Sequence, residues 1–141
     1  MRNRSVRGCT VSEGDLPESA ARLNTYVGDF EIETELCPPS RVVSIRGEFD
    51  IAHAEHAKRV LKDAAADRAY ALVVDLTGCA FIDSAGLSTI LTVARQRADE
   101  ASVAVAAVPD SELRRMLDLT GISLTLPTFA TVDAATAAVA A

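Results

Sequence analysis

Ser84 stands where an apolar segment passes into a helical pattern, between the carboxylate of Asp83 and the small residues Ala85 and Gly86. A serine at this place can cap the helix by accepting a backbone N–H bond. It can also stand exposed on a surface that another protein approaches closely. On spacing alone the cap is the favoured interpretation, whereas the small neighbours favour the exposed hydroxyl because they leave its surroundings uncrowded.

Gly86 is an unexpected residue in the first turn of a helix. Within a helix, glycine costs up to about 1 kcal/mol relative to alanine. Close approach of a partner protein would explain the glycine, and so would tight packing of the helix on a sheet. Both interpretations stay open at the level of the sequence.

Two catalytic interpretations of these residues fail. The nucleophile elbow of serine hydrolases is G-x-S-x-G, and Ile82 stands where its first glycine should be. A receiver domain that accepts phosphate on aspartate needs a lysine near the end of its fifth strand, but the only lysines are Lys58 and Lys62, in a predicted helix. No glycine-rich loop offers a phosphate cradle. We therefore expect neither an enzyme nor a bound cofactor.

Other titratable groups follow predicted strands or lie on the first helix. Asp50 comes after the second strand, where it can serve as a helix N-cap, and Asp75 comes near the end of the third, where a solvated carboxylate is expected. His53 and His56 fall on the first helix and are interpreted as surface histidines, not as a base or a metal pair. No metal site is predicted.

The composition limits the class of protein. The chain has 141 residues, of which 49% are hydrophobic, and this suits one domain with a true core. Its net charge of −6 argues against nucleic acid and anionic membranes as partners. No apolar run reaches the roughly 20 residues of a membrane helix. Cys9, Cys37 and Cys79 are odd in number and widely spaced, so three free thiols in a reducing, cytoplasmic compartment are expected.

Hydrophobic periodicity predicts a single α/β domain that begins near residue 26. Strands are predicted at Phe30–Leu36, Arg41–Phe49, Tyr70–Leu76, Val103–Val108 and Ile122–Leu126. Helices are predicted at Ala54–Ala66, at Ser84–Ala98, between Pro109 and a capping Gly121, and at Thr131–Ala140. The order implies a mostly parallel sheet of about five strands with an antiparallel N-terminal hairpin and helices packed on it.

The segment from Met1 to Thr25 is polar and aperiodic. It is predicted to be a flexible N-terminal extension, whose deletion should leave thermal stability and partner affinity nearly unchanged.

Binding sites in open α/β sheets gather at the carboxyl ends of the strands. Several candidate residues converge on that edge, and Ser88 joins them because it lies one turn beyond Ser84 on the same helix face. The predicted partner-binding surface is Asp50, Ile51, Asp83, Ser84, Ala85, Gly86, Leu87 and Ser88.

The same segments resemble a known family. Val73–Leu76 followed by Phe81–Leu87 is similar to the signature of STAS domains, and above all to the anti-sigma factor antagonists of bacteria. Gly47–Asp50 resembles the family's segment after the second strand. Leu119–Ile122 resembles its motif near the end of the third helix. The resemblance covers about residues 26–141.

The resemblance implies a partner-switching regulator of transcription, as in bacterial stress responses. The unphosphorylated antagonist binds an anti-sigma factor that is also a serine kinase, and this frees the sigma factor. The kinase then phosphorylates the motif serine, at the position of Ser84 here, and a serine phosphatase restores the complex. Ala85 replaces a second hydroxyl residue of some members, which leaves one acceptor. A chain that is monomeric when free is expected.

One alternative remains within the family. STAS domains also serve as accessory or scaffold subunits of transporters and of larger signalling assemblies, and these uses do not always need the serine.

Overall fold

Apolar runs of the chain form a mixed sheet, which a computed structural model describes over residues 22–27, 30–97 and 102–140. The strands are β1 (Arg22–Val27), β2 (Phe30–Cys37), β3 (Ser40–Phe49), β4 (Ala71–Asp75), β5 (Cys79–Ile82), β6 (Val103–Ala106) and β7 (Thr128–Phe129). The helices are α1 (Ile51–Ala66), α2 (Ser84–Arg95), α3 (Glu112–Leu119), α4 (Ile122–Thr125) and α5 (Val132–Ala140). None of these described helices is both long and apolar enough to cross a membrane.

The strands follow the order β1-β2-β3-β4-β6-β7, with β5 paired to β3. Pairing is antiparallel from β1 to β3 and parallel from there on. The predicted fold class, an α/β domain with an antiparallel N-terminal hairpin on a mostly parallel sheet, is confirmed. The described sheet has seven strands, where about five were expected.

Strand β3 is ten residues long, twice the length of its neighbour β4. Its first half, Ser40–Ser44, pairs with β4, and its end, Gly47–Phe49, pairs with β5. Phe49 lies opposite Ile82 in this register. The strands β3 and β5 therefore end side by side, and each runs directly into a helix.

The sheet is covered on both faces. Helices α1 to α4 pack on one face over a large apolar cluster that includes Phe30, Leu61 and Leu126, each at most 1% exposed. The alanine-rich α5 covers the other face, where Ala135 packs with Val73 and other small apolar residues. Thr131 caps α5 by accepting an N–H bond from Ala134 at 3.0 Å, as predicted.

Three predictions on the elements differ from the structure. The expected connection Thr77–Ile82 contains strand β5, and the expected edge strand Ile122–Leu126 is helix α4, so that β7 forms the edge instead. Gly121, at φ +83°, ends α3 as predicted, but the turn leads straight into α4. The extension was expected to reach Thr25, yet β1 already begins at Arg22; residues 1–21 lie outside the described part.

The cysteines also differ from expectation. Cys37 is disulfide-bonded, so the prediction of three free thiols is wrong. Cysteine spacing does not reveal pairing, which depends on the fold. Cys9 lies outside the described residues. Cys79 is a free, buried thiol at the start of β5.

Buried Arg97, just after α2, joins the ends of several elements. Its guanidinium donates to the carbonyl oxygens of Ala65 and Tyr70, both at 2.8 Å, and to the hydroxyl of Ser102 at 3.2 Å. Only 5% of the residue is exposed. These bonds satisfy carbonyl groups at the C-terminal end of α1 and before β4.

Arg97→Met should therefore destabilise the protein. The substitution keeps much of the apolar stem but leaves buried carbonyl groups without donors, which costs about 2–4 kcal/mol in unfolding free energy. Urea denaturation measures the loss. Arg95→Met, at the exposed last residue of α2, is the matched control and should change stability by less than about 0.5 kcal/mol. Equal effects of the two substitutions would contradict the assigned role of Arg97.

Burial raises the pKa of the Cys79 thiol to about 11, from a normal value of 9.0. Below pH 9 its thiolate should be about 100-fold rarer than in the unfolded chain, so alkylation of the native protein should be at least that much slower. Because the folded pKa is the higher one, the stabilising effect of this protonated thiol is complete below pH 9 and is lost as the pH rises towards 11. Iodoacetamide labelling with and without urea, with Cys79→Ser as the control, measures the difference; equal labelling rates would disprove the burial effect.

Candidate functional site

The N-termini of α1 and α2 lie side by side at the carboxyl edge of the sheet. Because Phe49 and Ile82 are paired, the residues that follow them, Asp50 and Asp83, occupy equivalent positions at the ends of the neighbouring strands β3 and β5. The backbone N–H of Asp83 donates to the carbonyl oxygen of Phe49 at 3.2 Å and continues the pairing by one bond. The convergence of these segments, which the sequence predicted, is thus observed.

Each of these aspartates caps the helix that it precedes. An oxygen of Asp50 accepts the N–H of Ala52 at 3.1 Å, which confirms its predicted role as an N-cap. Asp83 Oδ1 accepts the N–H of Gly86 at 3.0 Å. The other oxygen of Asp83 accepts the N–H of Ile51, the first residue of α1, at 3.1 Å. One carboxylate therefore binds the first turns of both helices.

Ser84 is the first residue of α2 and not its cap, so the capping interpretation favoured from spacing is wrong. The cap position belongs to Asp83, whose side chain already accepts the N–H bond that a capping serine would take. Ser84 is exposed, and its hydroxyl forms no hydrogen bond with any residue that the structure describes. The hydroxyl is thus accessible to another protein and is not engaged in the fold.

Gly86 and Leu87 lie beneath the surface that they were predicted to form. A Cβ atom on Gly86 would come within 2.8 Å of both Ile82 Cγ1 and the carbonyl oxygen of Phe49. The glycine is therefore explained by tight packing of α2 on the ends of β3 and β5. Leu87 is 6% exposed and belongs to the apolar core. These two residues support the site from below and are not available for direct contact.

The accessible part of the site consists of Ser84 with apolar and polar neighbours. Ile51 is 76% exposed and Phe81 is 46% exposed, which is unusual for such large apolar side chains. A groove of about 280 Å³ runs between α1 and α2. It is lined by Ile51, Ala54, Glu55, Lys58, Ala85, Ser88 and Thr89. We call Ile51, Phe81, Ser84, Ala85 and Ser88 the Ser84 surface.

Phe81 lies in β5 and not in the connection that hydrophobic periodicity predicts, so the sequence does not mark it as a site residue. The sequence gives little indication of this residue, because the exposure of Phe81 becomes evident only when the pairing of β5 is known. The two middle residues of this strand, Ala80 and Phe81, are exposed, whereas Cys79 and Ile82 are buried.

His53 is more deeply packed than a surface histidine. Its ring stacks on that of Phe30 with centroids 4.5 Å apart, and its Nδ1 lies 3.1 Å from both Asp50 Oδ1 and the carbonyl oxygen of Glu48. These contacts fix the loop between β3 and α1. Within the described ranges no group of three or more histidine, cysteine or acidic side chains could hold a metal ion.

Asp75 was expected to be solvated, and this is wrong. It is 4% exposed, and its two oxygens accept bonds from the hydroxyl of Ser44 at 3.0 Å and from the hydroxyl and N–H of Thr77 at 2.6 and 2.9 Å. The carboxylate is buried because β4 lies between β3 and β6 and because Ser44 faces it across the sheet. Asp75 therefore organises the turn after β4.

Gly86→Ala tests the packing below Ser84. The added methyl group must displace the backbone of Phe49 or the side chain of Ile82, and we expect a loss of about 1–3 kcal/mol in unfolding free energy. Gly78→Ala is the matched control because its Cβ would meet only the flexible side chain of Arg46, with Cγ at 3.0 Å. Urea denaturation of both variants measures the difference. Unchanged stability of Gly86→Ala would mean that α2 can move away from the sheet at no cost.

Comparison with known proteins agrees with the geometry. The model of the STAS domain family matches residues 31–135 of the chain. The fold is similar to the crystal structure of an anti-sigma factor antagonist from Mycobacterium paratuberculosis, with 28% sequence identity, 86% of this chain and 97% of that chain covered, and a TM-score of 0.72. It is also similar to a putative anti-sigma factor antagonist from Thermotoga maritima, at 21% identity, with 77% and 93% covered and a TM-score of 0.61. Among curated protein sequences none matches this chain.

The family match spans most of the chain and includes every segment on which the resemblance was based. The similar structures share the arrangement of the sheet and helices. The chain therefore belongs to the STAS domain family.

Proposed function

We propose that this protein is an anti-sigma factor antagonist that works by partner switching in the cytoplasm of a bacterium. In its unphosphorylated form it binds an anti-sigma factor with serine kinase activity and thereby frees a sigma factor. Phosphorylation of Ser84 ends the binding, and a serine phosphatase restores it. The observation that supports this best is the exposed Ser84 hydroxyl, which the fold does not use, at a helix N-terminus whose first residues include the exposed Ser88 and the partly buried Ala85.

The Ser84 surface has the composition of a protein-binding site. Ile51 and Phe81 can be buried by a partner, which gives affinity, while Ser84 and Ser88 add polar contacts. The groove beside Ile51 can receive a side chain of the partner. No described residue accepts a hydrogen bond from the Ser84 hydroxyl, so within the described chain it has no bonded base of the kind that activates a nucleophile. In this proposal the hydroxyl accepts a group from another protein's active site.

A phosphate on Ser84 suits the fold but not an interface. It would carry nearly two negative charges at the first residue of a helix, where the helix dipole and free N–H groups stabilise anions by about 0.3–1 kcal/mol. The domain should therefore stay folded. In a complex the same phosphate must lose its water and face any carboxylate of the partner, which lowers affinity tenfold for each ~1.4 kcal/mol lost.

Ser84→Ala should bind the anti-sigma factor with about wild-type affinity and should take up no phosphate. Ser84→Glu should bind roughly 10–100-fold more weakly, because one charge partly imitates the phosphate. The experiment mixes each variant with candidate kinase anti-sigma factors and ATP, then measures phosphate by mass spectrometry and affinity by calorimetry.

Ser88→Ala is the matched control, since Ser88 is an exposed serine one turn further along the same helix. It should still be phosphorylated and released. Phosphate on Ser84→Ala, or a Ser84→Glu variant that binds as tightly as wild type, would refute the proposed switch.

A further inference from the structure

The carboxylate of Asp83 binds two helices, whereas each of the other side-chain caps in the described chain binds one. Asp50, Ser111 and Thr131 each accept an N–H from the helix that they begin. Asp83 also caps its own helix through Gly86, but its second oxygen accepts the N–H of Ile51 in a different helix. The two helices belong to segments 32 residues apart in the chain, so this bond is a tertiary contact at the centre of the site.

We propose that Asp83 is a positioning residue that aligns Ile51 with Ser84, and that phosphorylation of Ser84 reaches the first turn of α1 through the Asp83 carboxylate. The inference rests on the proposed function, because it assigns a route by which that phosphate alters the binding surface. Asp83 itself does not contact the partner in this proposal.

The alignment follows from how few contacts hold Ile51 and Ala52, because the stacking on Phe30 holds His53 and not these two residues. The side chain of Ile51 is 76% exposed and Ala52 is exposed too, so packing contributes little at this point. The N–H groups of these residues are bound by the carboxylates of Asp83 and Asp50 respectively. The Asp83 bond is the one that ties this turn to the segment carrying Ser84.

The response to phosphate follows from charge. A phosphoserine at position 84 brings nearly two negative charges next to Asp83, and the N–H groups of Ser84 and Ala85 have no acceptor among the described residues. The phosphate takes these N–H groups and repels the neighbouring carboxylate. The bond from Asp83 to Gly86 lies within one helical turn, whereas the bond to Ile51 crosses between elements. The cross-link to Ile51 therefore weakens first, and the exposed isoleucine loses its alignment.

The test uses amide hydrogen exchange of the full-length, 15N-labelled protein, with phosphoserine inserted at position 84 during synthesis so that no kinase is needed. Four proteins are compared: wild type and Asp83→Ser, each with and without the phosphate. A serine at position 83 can still cap α2 but is too short to reach Ile51. Asp83→Asn, which keeps one acceptor oxygen, replaces it if Asp83→Ser does not fold.

In the wild type the phosphate should speed exchange at Ile51 by about tenfold or more and shift its amide proton upfield, with little change at Gly86. In Asp83→Ser, exchange at Ile51 should be fast from the start, and the phosphate should alter it by less than about twofold. Asp50→Asn, which keeps its cap oxygen and removes the other nearby carboxylate, should respond as the wild type does.

An unchanged Ile51 amide in the phosphorylated wild type, or an equal response with and without the Asp83 carboxylate, would overturn the proposal. Neither result would refute the proposed function, since a phosphate on Ser84 can block a partner directly. Conversely, failure of candidate kinases to modify Ser84 would refute the proposed function while the inserted phosphoserine still tests the role of Asp83.

Discussion

The parallel pairing of β3 with β5 determines the geometry of the whole site. Its register sets Phe49 opposite Ile82, which buries both side chains and brings the two following aspartates together. A slip of β5 by one residue would turn Ile82 to the opposite face of the sheet. The absence of a Cβ at Gly86 then lets α2 approach the strand ends closely. Backbone pairing and a missing methyl group thus fix the location of Ser84 more than any contact of the serine itself.

Periodicity predicted the longer elements and failed on the short ones. Four strands and the main helices were found because their apolar residues repeat over enough turns or alternations to be distinctive. Strand β5 has four residues and was missed. The segment from Ile122 also looks like a strand in isolation. The left-handed turn at Gly121, which ends the preceding helix, and the bond from Leu126 N–H to the carbonyl of Ile122 make it helical.

The sequence predicted which residues form the site, but it did not predict their exposure or the contacts between them. The convergence of Asp50 and Asp83 with Ser84 follows from the rule that strand ends meet at one edge. Which of the neighbours are buried, as Leu87 is, depends on how α2 rotates on the sheet. The exposure of Phe81 and the second bond of Asp83 arise between segments distant in sequence. No local pattern encodes such contacts, and the disulfide of Cys37 was beyond prediction for the same reason.

The buried guanidinium of Arg97 has a mechanical consequence for the pair of helices α1 and α2. It binds the carbonyl oxygen of Ala65, near the end of α1, from a position just beyond α2, while Asp83 joins the opposite ends of the same two helices. While both contacts persist, the two helices are held together near both ends. Loss of the Asp83 bond would free only the first turn of α1, because Arg97 still holds the other end of that helix. A change at Ser84 would therefore alter a small area of the protein surface and leave the packing of the helices on the sheet as it is.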